Sequence, residues 1–163
     1  QSRDIIKRNY SFKNSKLVSD GNSIFFSNNN HEFYSINIKS GTIRWVNEIN
    51  SYVTPIILEN LILTVSTEGY LYVVDKNKGN VIRITDLYKN YKDKKRKNIK
   101  PIGFSIGDKN LYLTSNNGKM IIAEVDLGNI IKIEKVSGGL VSEPLIFNNS
   151  LYVIKNGSII EYK

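Results

Sequence analysis

The chain has 163 residues, 40% of them hydrophobic and 23% charged, with 23 Lys/Arg against 15 Asp/Glu and no cysteine. That length is about one domain; the lack of cysteine excludes disulfides and thiolate metal sites, and no apolar run approaches the ~20 residues of a membrane helix. The formal charge of +8 is local, because residues 88–100 hold seven Lys/Arg and one Asp, leaving +2 on everything else.

No secretory signal stands at Gln1, so the start reads as a processed or truncated end. Residues 4–12 could form a strand, or the end of a unit that precedes them. Then a pattern begins to recur. Asn22-Ser-Ile-Phe-Phe26 returns as Glu59-Asn-Leu-Ile-Leu63, Lys109-Asn-Leu-Tyr-Leu113 and Asn149-Ser-Leu-Tyr-Val153. From Ile24 to Leu61, Leu111 and Leu151 the steps are 37, 50 and 40 residues. A second landmark follows each copy: Phe33-Tyr-Ser-Ile, Leu71-Tyr-Val-Val, Met120-Ile-Ile-Ala and, more weakly, Ser158-Ile-Ile-Glu. A third lies in the next turn, at Asn37…Gly41, Asp75…Gly79 and Glu124…Gly128.

Within each unit the apolar runs are short, rich in Ile, Val, Tyr and Phe, and bounded by Asn, Gly, Ser and Lys. The clearest unit reads as four antiparallel strands over residues 52–58, 61–66, 70–75 and 81–85, with turns at Glu59-Asn60, Glu68-Gly69 and 76–80. No segment shows a helical period. A repeat near 40 residues made of four strands in meander order is a propeller blade. The chain is therefore expected to be all-β, a β-propeller of about four blades, with units at 12–50, 51–99, 100–139 and 140–163. Pro55 and Pro144 open the first strand of their units, an edge where a missing N–H is tolerated; Pro101 does not fit that register. The last unit stops after its third strand. The chain reads as the C-terminal half of a larger, eight-bladed ring, which would leave two blade faces and their edges exposed.

Candidate chemistry is sparse. His31, the single histidine, falls at the turn where later units carry Gly69, Gly118 and Gly157, so a positive-φ turn role accounts for it better than catalysis or metal binding. The Asn37, Asp75 and Glu124 turns could ligate calcium, but repetition in every unit favours ordinary hairpin chemistry. Asn148-Asn-Ser150 and Asn156-Gly-Ser158 match the glycosylation pattern by accident in an Asn-rich chain. No nucleophile–base pair, phosphate loop or metal cluster is present, and no enzyme, cofactor or metal is expected. The one anomaly is the insertion Tyr88-Lys-Asn-Tyr-Lys-Asp-Lys-Lys-Arg-Lys-Asn-Ile-Lys100. It reads as a mobile cationic loop on one rim, either simply solvated or meeting an acidic partner. Its candidate contact residues are Tyr88, Tyr91, Lys94, Lys95, Arg96 and Lys97.

Gly69-Tyr-Leu-Tyr-Val-Val-Asp75 with Gly79, and Ser35-Ile-Asn-Ile-Lys-Ser-Gly-Thr-Ile-Arg-Trp45, resemble the repeat of PQQ-type eight-bladed propellers. The stretch from Gly139 to Lys163 resembles the C-terminal end of the BamB family, propeller lipoproteins of outer-membrane protein assembly. The likeness spans residues 16–163 as the second half of that family's length. It implies a non-enzymatic scaffold in the periplasm, with a lipid anchor in a preceding half. Its partners would be the periplasmic domains of the barrel-assembly machinery and unfolded outer-membrane proteins, with no nucleic acid. The repeat's docking tryptophan is kept only at Trp45; Ile84 stands near that position in the second unit, displaced by one residue, and Lys132 or Ile133 in the third, so docking there is expected to rest on aliphatic packing. The rivals are a PQQ-type quinoprotein or substrate-binding propeller, which would need a complete ring, calcium and more tryptophan, and a basic propeller binding nucleic acid through the insertion.

Overall fold

The computed structural model describes residues 13–28 and 30–162. These form fifteen strands and one short helix. The first blade holds β1 (Val18–Ser19), β2 (Ser23–Ser27), β3 (Phe33–Asn37) and β4 (Ile43–Asn47). The second holds β5 (Ile56–Leu58), β6 (Leu61–Val65), β7 (Tyr70–Asp75) and β8 (Val81–Asp86). Helix α1 (Asp93–Arg96) follows, and then the third blade: β9 (Pro101–Gly107), β10 (Asn110–Ser115), β11 (Lys119–Glu124) and β12 (Ile130–Lys135). The fourth has β13 (Leu145–Phe147), β14 (Ser150–Lys155) and β15 (Ser158–Tyr162). Every sheet is an antiparallel meander in chain order, and the fourth has three strands among the described residues. Residues 4–12, expected as a possible strand, lie outside the described residues.

Two expectations change. The predicted strand at 52–58 pairs only over β5, because Ser51 holds the segment before it: its hydroxyl donates to the Val65 carbonyl at 2.8 Å. Pro101, read as out of register, opens β9 and pairs opposite Ser115 after an irregularity in the ladder. All three prolines thus stand at or just before an innermost strand, where no ladder N–H is demanded of them.

Alternation makes each sheet apolar on both faces, and the core lies between blades rather than within one. Phe25, Phe33 and Trp45 of the first blade meet Ile62 and Val74 of the second. On the opposite face of the second blade, Leu63, Val65, Leu71 and Val73 meet Leu111, Leu113, Ile121 and Ala123 of the third. Met120 on the third blade meets Leu151 and Val153 on the fourth. An open cleft of about 740 Å³ lies beside the innermost strands, lined by Ile56 and Phe104 of the second and third blades and by Leu145, Phe147, Ile154 and Ile159 of the fourth. Across it Lys16 Nζ reaches Glu143 Oε1 at 2.7 Å, linking the first blade to the fourth.

The turns behave as hairpin chemistry. Asp75 Oδ1 accepts the Asn77 and Lys78 N–H groups at 2.9 and 2.7 Å, and Asn37 Oδ1 accepts those of Lys39 and Ser40 at 2.9 and 3.1 Å. These side chains close their own turns. His31 has φ 64°, in the left-handed region that Gly69, Gly118 and Gly157 occupy at the same place in later blades.

The blade-docking position also needs correction. In the first blade Trp45 pairs with Ser35 just before a register irregularity. The matching residue of the second blade is Arg83, opposite Val73, not Ile84, which is 54% exposed. The two do the same job. Trp45 Nε1 donates to the Lys76 carbonyl in the β7–β8 turn of the next blade, at 3.0 Å. The Arg83 guanidinium donates to the Val125 and Asp126 carbonyls in the corresponding β11–β12 turn. In the third blade the equivalent is Lys132, opposite Ile122.

Candidate functional site

The insertion is folded against the rim between the second and third blades. Its anchor is Tyr88, which is fully buried. The ring lies against Gly69 so closely that a Cβ there would sit 2.1 Å from it. The Tyr88 hydroxyl shares a 2.9 Å hydrogen bond with Ser115 Oγ, and its N–H donates to Asp86 Oδ1 at 2.9 Å. Burial pushes the phenol well above its ordinary pKa, so it stays neutral. Tyr91 packs edge-on against it at 5.7 Å between ring centres. Ile99, also buried, closes the far end of the insertion.

Arg96 is consumed by the fold as well. Its Nη1 pairs with Asp86 Oδ2 at 2.7 Å, its Nη2 donates to the Glu68 carbonyl at 3.3 Å, and its guanidinium lies over the Tyr70 ring at 4.9 Å. The Asp86 carboxylate holds the guanidinium above its ordinary pKa. The exit is tied down by Asn116, whose Oδ1 accepts the Lys100 N–H at 2.9 Å and whose Nδ2 donates to the Asn98 carbonyl at 3.0 Å.

Six residues of the insertion were expected at a partner surface, and the structure separates them. Tyr88 is withdrawn into the core and cannot touch a partner; Arg96 is occupied by Asp86. Lys94, Lys95 and Lys97 are exposed on or beside α1. Tyr91 is half-buried and forms part of the wall of a groove of about 740 Å³. That groove adds residues the linear reading missed: Asn90 and Lys92 from the insertion, and Asn117 and Lys119 from the β10–β11 hairpin. Lys119 Nζ stands over the Tyr91 ring at 5.4 Å. A basic residue directly after Gly118 was the available signal, but nothing local placed it beside residue 91.

Among the described residues no group of three His, Asp or Glu side chains converges as a metal site would require. No helix is long and apolar enough to cross a membrane.

These features define a class, the β-propeller of antiparallel meander blades. More particularly, the chain resembles BamB: a family model described as outer membrane protein assembly factor BamB matches residues 8–85. The crystal structure of BamB from Moraxella catarrhalis superposes with a TM-score of 0.70 at 16% identity, covering 90% of this chain and 41% of that one. This chain thus spans about two-fifths of that protein's length. The computationally designed Ika4 protein gives a TM-score of 0.73 at 11% identity, covering 95% and 93% of the two chains. The WD40 domain of Neurospora crassa Pan2 gives 0.64 at 15% identity, covering 90% and 45%. At such identities the structural likeness is one of fold. No curated protein matches the chain.

Proposed function

We propose that this chain is part of a non-enzymatic scaffold propeller, acting with the barrel-assembly machinery on outer-membrane proteins in the periplasm. The observation that carries the reading is the match to the BamB family model over residues 8–85 in a chain of four propeller sheets, several of whose polar side chains have structural roles. Asp75 and Asn37 close turns, Asp86 holds Arg96, and Tyr88 is buried on Ser115. A surface of this kind acts by holding partners. The membrane association of the reading belongs to a lipid anchor in a preceding half, and its partners are the periplasmic domains of the barrel-assembly protein and unfolded barrel substrates.

The test is co-purification of the full-length protein, from solubilised membranes of its own organism, with the barrel-assembly protein. Stoichiometric recovery, together with a drop in folded outer-membrane proteins when the protein is depleted, is the expected result. Recovery without the assembly machinery, with unchanged barrel levels on depletion, overturns the reading. Retention of a quinone chromophore with calcium after dialysis would move the protein to the quinoprotein class.

A further inference from the structure

We infer that the groove between α1 and the β10–β11 hairpin is a binding site for an extended, carboxylate-rich protein segment. The inference does not depend on the outer-membrane assembly role.

The first argument is which charges are free. Four ion pairs occur among the described residues; they take Arg96 but none of Lys92, Lys95 or Lys119. These three ammonium groups all line the groove, and no carboxylate lines it with them. Asp93, the one acidic residue of the insertion, is not part of the wall. The fold therefore neutralises the arginine and leaves the groove lysines without a carboxylate partner. A ligand that brings carboxylates gains charge-assisted hydrogen bonds from each.

The second argument is preorganisation. The insertion is pinned at Tyr88, Arg96 and Asn116, so the lysines are presented from a fixed frame rather than a self-repelling coil. Lys119 comes from a different blade and is positioned over the Tyr91 ring. A binding partner does not have to order the loop first, which removes part of the cost of association.

The third argument is shape. The volume of about 740 Å³ far exceeds a single phosphate and falls within the range of sites that enclose sizeable ligands. The walls offer amides at Asn90 and Asn117 and an aromatic face at Tyr91, which suit a peptide's backbone and side chains together. A planar bilayer would meet lysines outside the groove, such as Lys94 and Lys97, and leave Lys119 behind. Nucleic acid recognition draws heavily on bidentate arginine, and the insertion's single arginine is already bound to Asp86.

The experiment uses the full-length protein and a fluorescein-labelled ten-residue polyglutamate peptide, read by anisotropy at ~150 mM salt, where non-specific attraction between exposed charges is screened. Two triple variants remove the same charge: Lys92→Gln/Lys95→Gln/Lys119→Gln in the groove, and Lys89→Gln/Lys94→Gln/Lys97→Gln outside it. The expected result is a tenfold or greater loss of affinity for the groove variant and less than a twofold change for the other. Equal losses would show that only net charge matters and overturn the site. So would absence of peptide binding. Phosphatidylglycerol vesicles and a deoxythymidine decamer are run in parallel. Tighter binding of either than of the peptide, with the same groove dependence, would reassign the groove and overturn the inference. Circular dichroism and urea unfolding of both variants, expected to match the parent because five of the six lysines are exposed and the half-buried Lys119 makes no ion pair, keep a folding defect from imitating the result.

Discussion

At the residue scale, the apolar contact between blades is supplemented by single side chains, Trp45 and Arg83, that reach into the next blade's outer turn. Gly79 sits under Trp45 with φ 77°, and a Cβ there would lie 2.6 Å from the indole. Gly79→Ala therefore combines left-handed strain with overpacking, and is expected to cost about 2–4 kcal/mol. Trp45 is the only tryptophan, so denaturant unfolding followed by its emission reads that interface directly. A variant as stable as the parent, with unshifted emission, would refute the docking role. Asp20 makes a second link across the same interface, pairing with Lys76 at 3.1 Å. Burial opposes its ionisation, but the Ser23 and Asn22 N–H groups and Lys76 outweigh it and lower the carboxyl to about 2. The folded pKa is depressed, so its contribution is present above the unfolded value near 3.8 and disappears as pH falls through about 2. With solvent screening this contribution is about 1 kcal/mol. Asp20→Asn should be less stable than the parent at pH 5, with most of the difference gone by pH 2, measured by urea unfolding at both.

At the scale of elements, the insertion is a folded bridge between two blades. Tyr88→Phe deletes the bond to Ser115 and leaves its buried hydroxyl unpaired, an expected loss of about 1–2 kcal/mol. Arg96→Ala removes the tie from α1 to Asp86 and the cover over Tyr70, and should leave the blades intact while freeing the helix. Limited trypsin digestion distinguishes the two effects. Arg96→Ala should be cut faster among Lys92–Lys97, whereas an unchanged cleavage rate would mean the helix is held by something else. The contrast between Trp45 and Arg83 belongs here too. One is aromatic and one cationic, yet both donate to the same carbonyl position of the following turn, Lys76 and Val125. Both are long side chains ending in a donor, which an aliphatic residue at this position would not supply; the third and fourth blades pack through Met120, Leu151 and Val153 instead, with Lys132 paired to Glu134.

For the whole molecule, the fourth blade leaves a sheet face uncovered. Register places Leu145 beside Tyr152 and Ile154 beside Ile159 on the face turned away from the third blade. There Leu145, Phe147, Ile154 and Ile159 are 50–72% exposed. Beyond Lys16–Glu143, which is itself largely solvated and so contributes little, nothing strong joins the first and fourth blades among the described residues. A patch of this kind drives association. The isolated 163-residue chain should self-associate in a concentration-dependent way, and Phe147→Lys/Ile159→Lys should shift it toward monomer in sedimentation velocity. Unchanged association in the double variant would place the contact elsewhere.

The blades were readable from residue order because a hairpin is a local object. Alternating apolar residues, Asn or Asp at one end of a turn and Gly at the other, set strand, register and turn within about ten positions. Residues 70–75 are a strand both as expected and as found, and His31 takes the turn conformation that its glycine counterparts predict. The insertion was readable only as charge. That Tyr88 fills the space over Gly69, that Asp86 takes Arg96, that Arg83 stands in for tryptophan, and that Lys119 joins Lys92 and Lys95 are all consequences of one blade stacking on the next. Such contacts join residues tens of positions apart through packing and charge pairing, and no local spacing rule carries them. Only the folded arrangement decides which of many lysines remain unpaired and face a common groove.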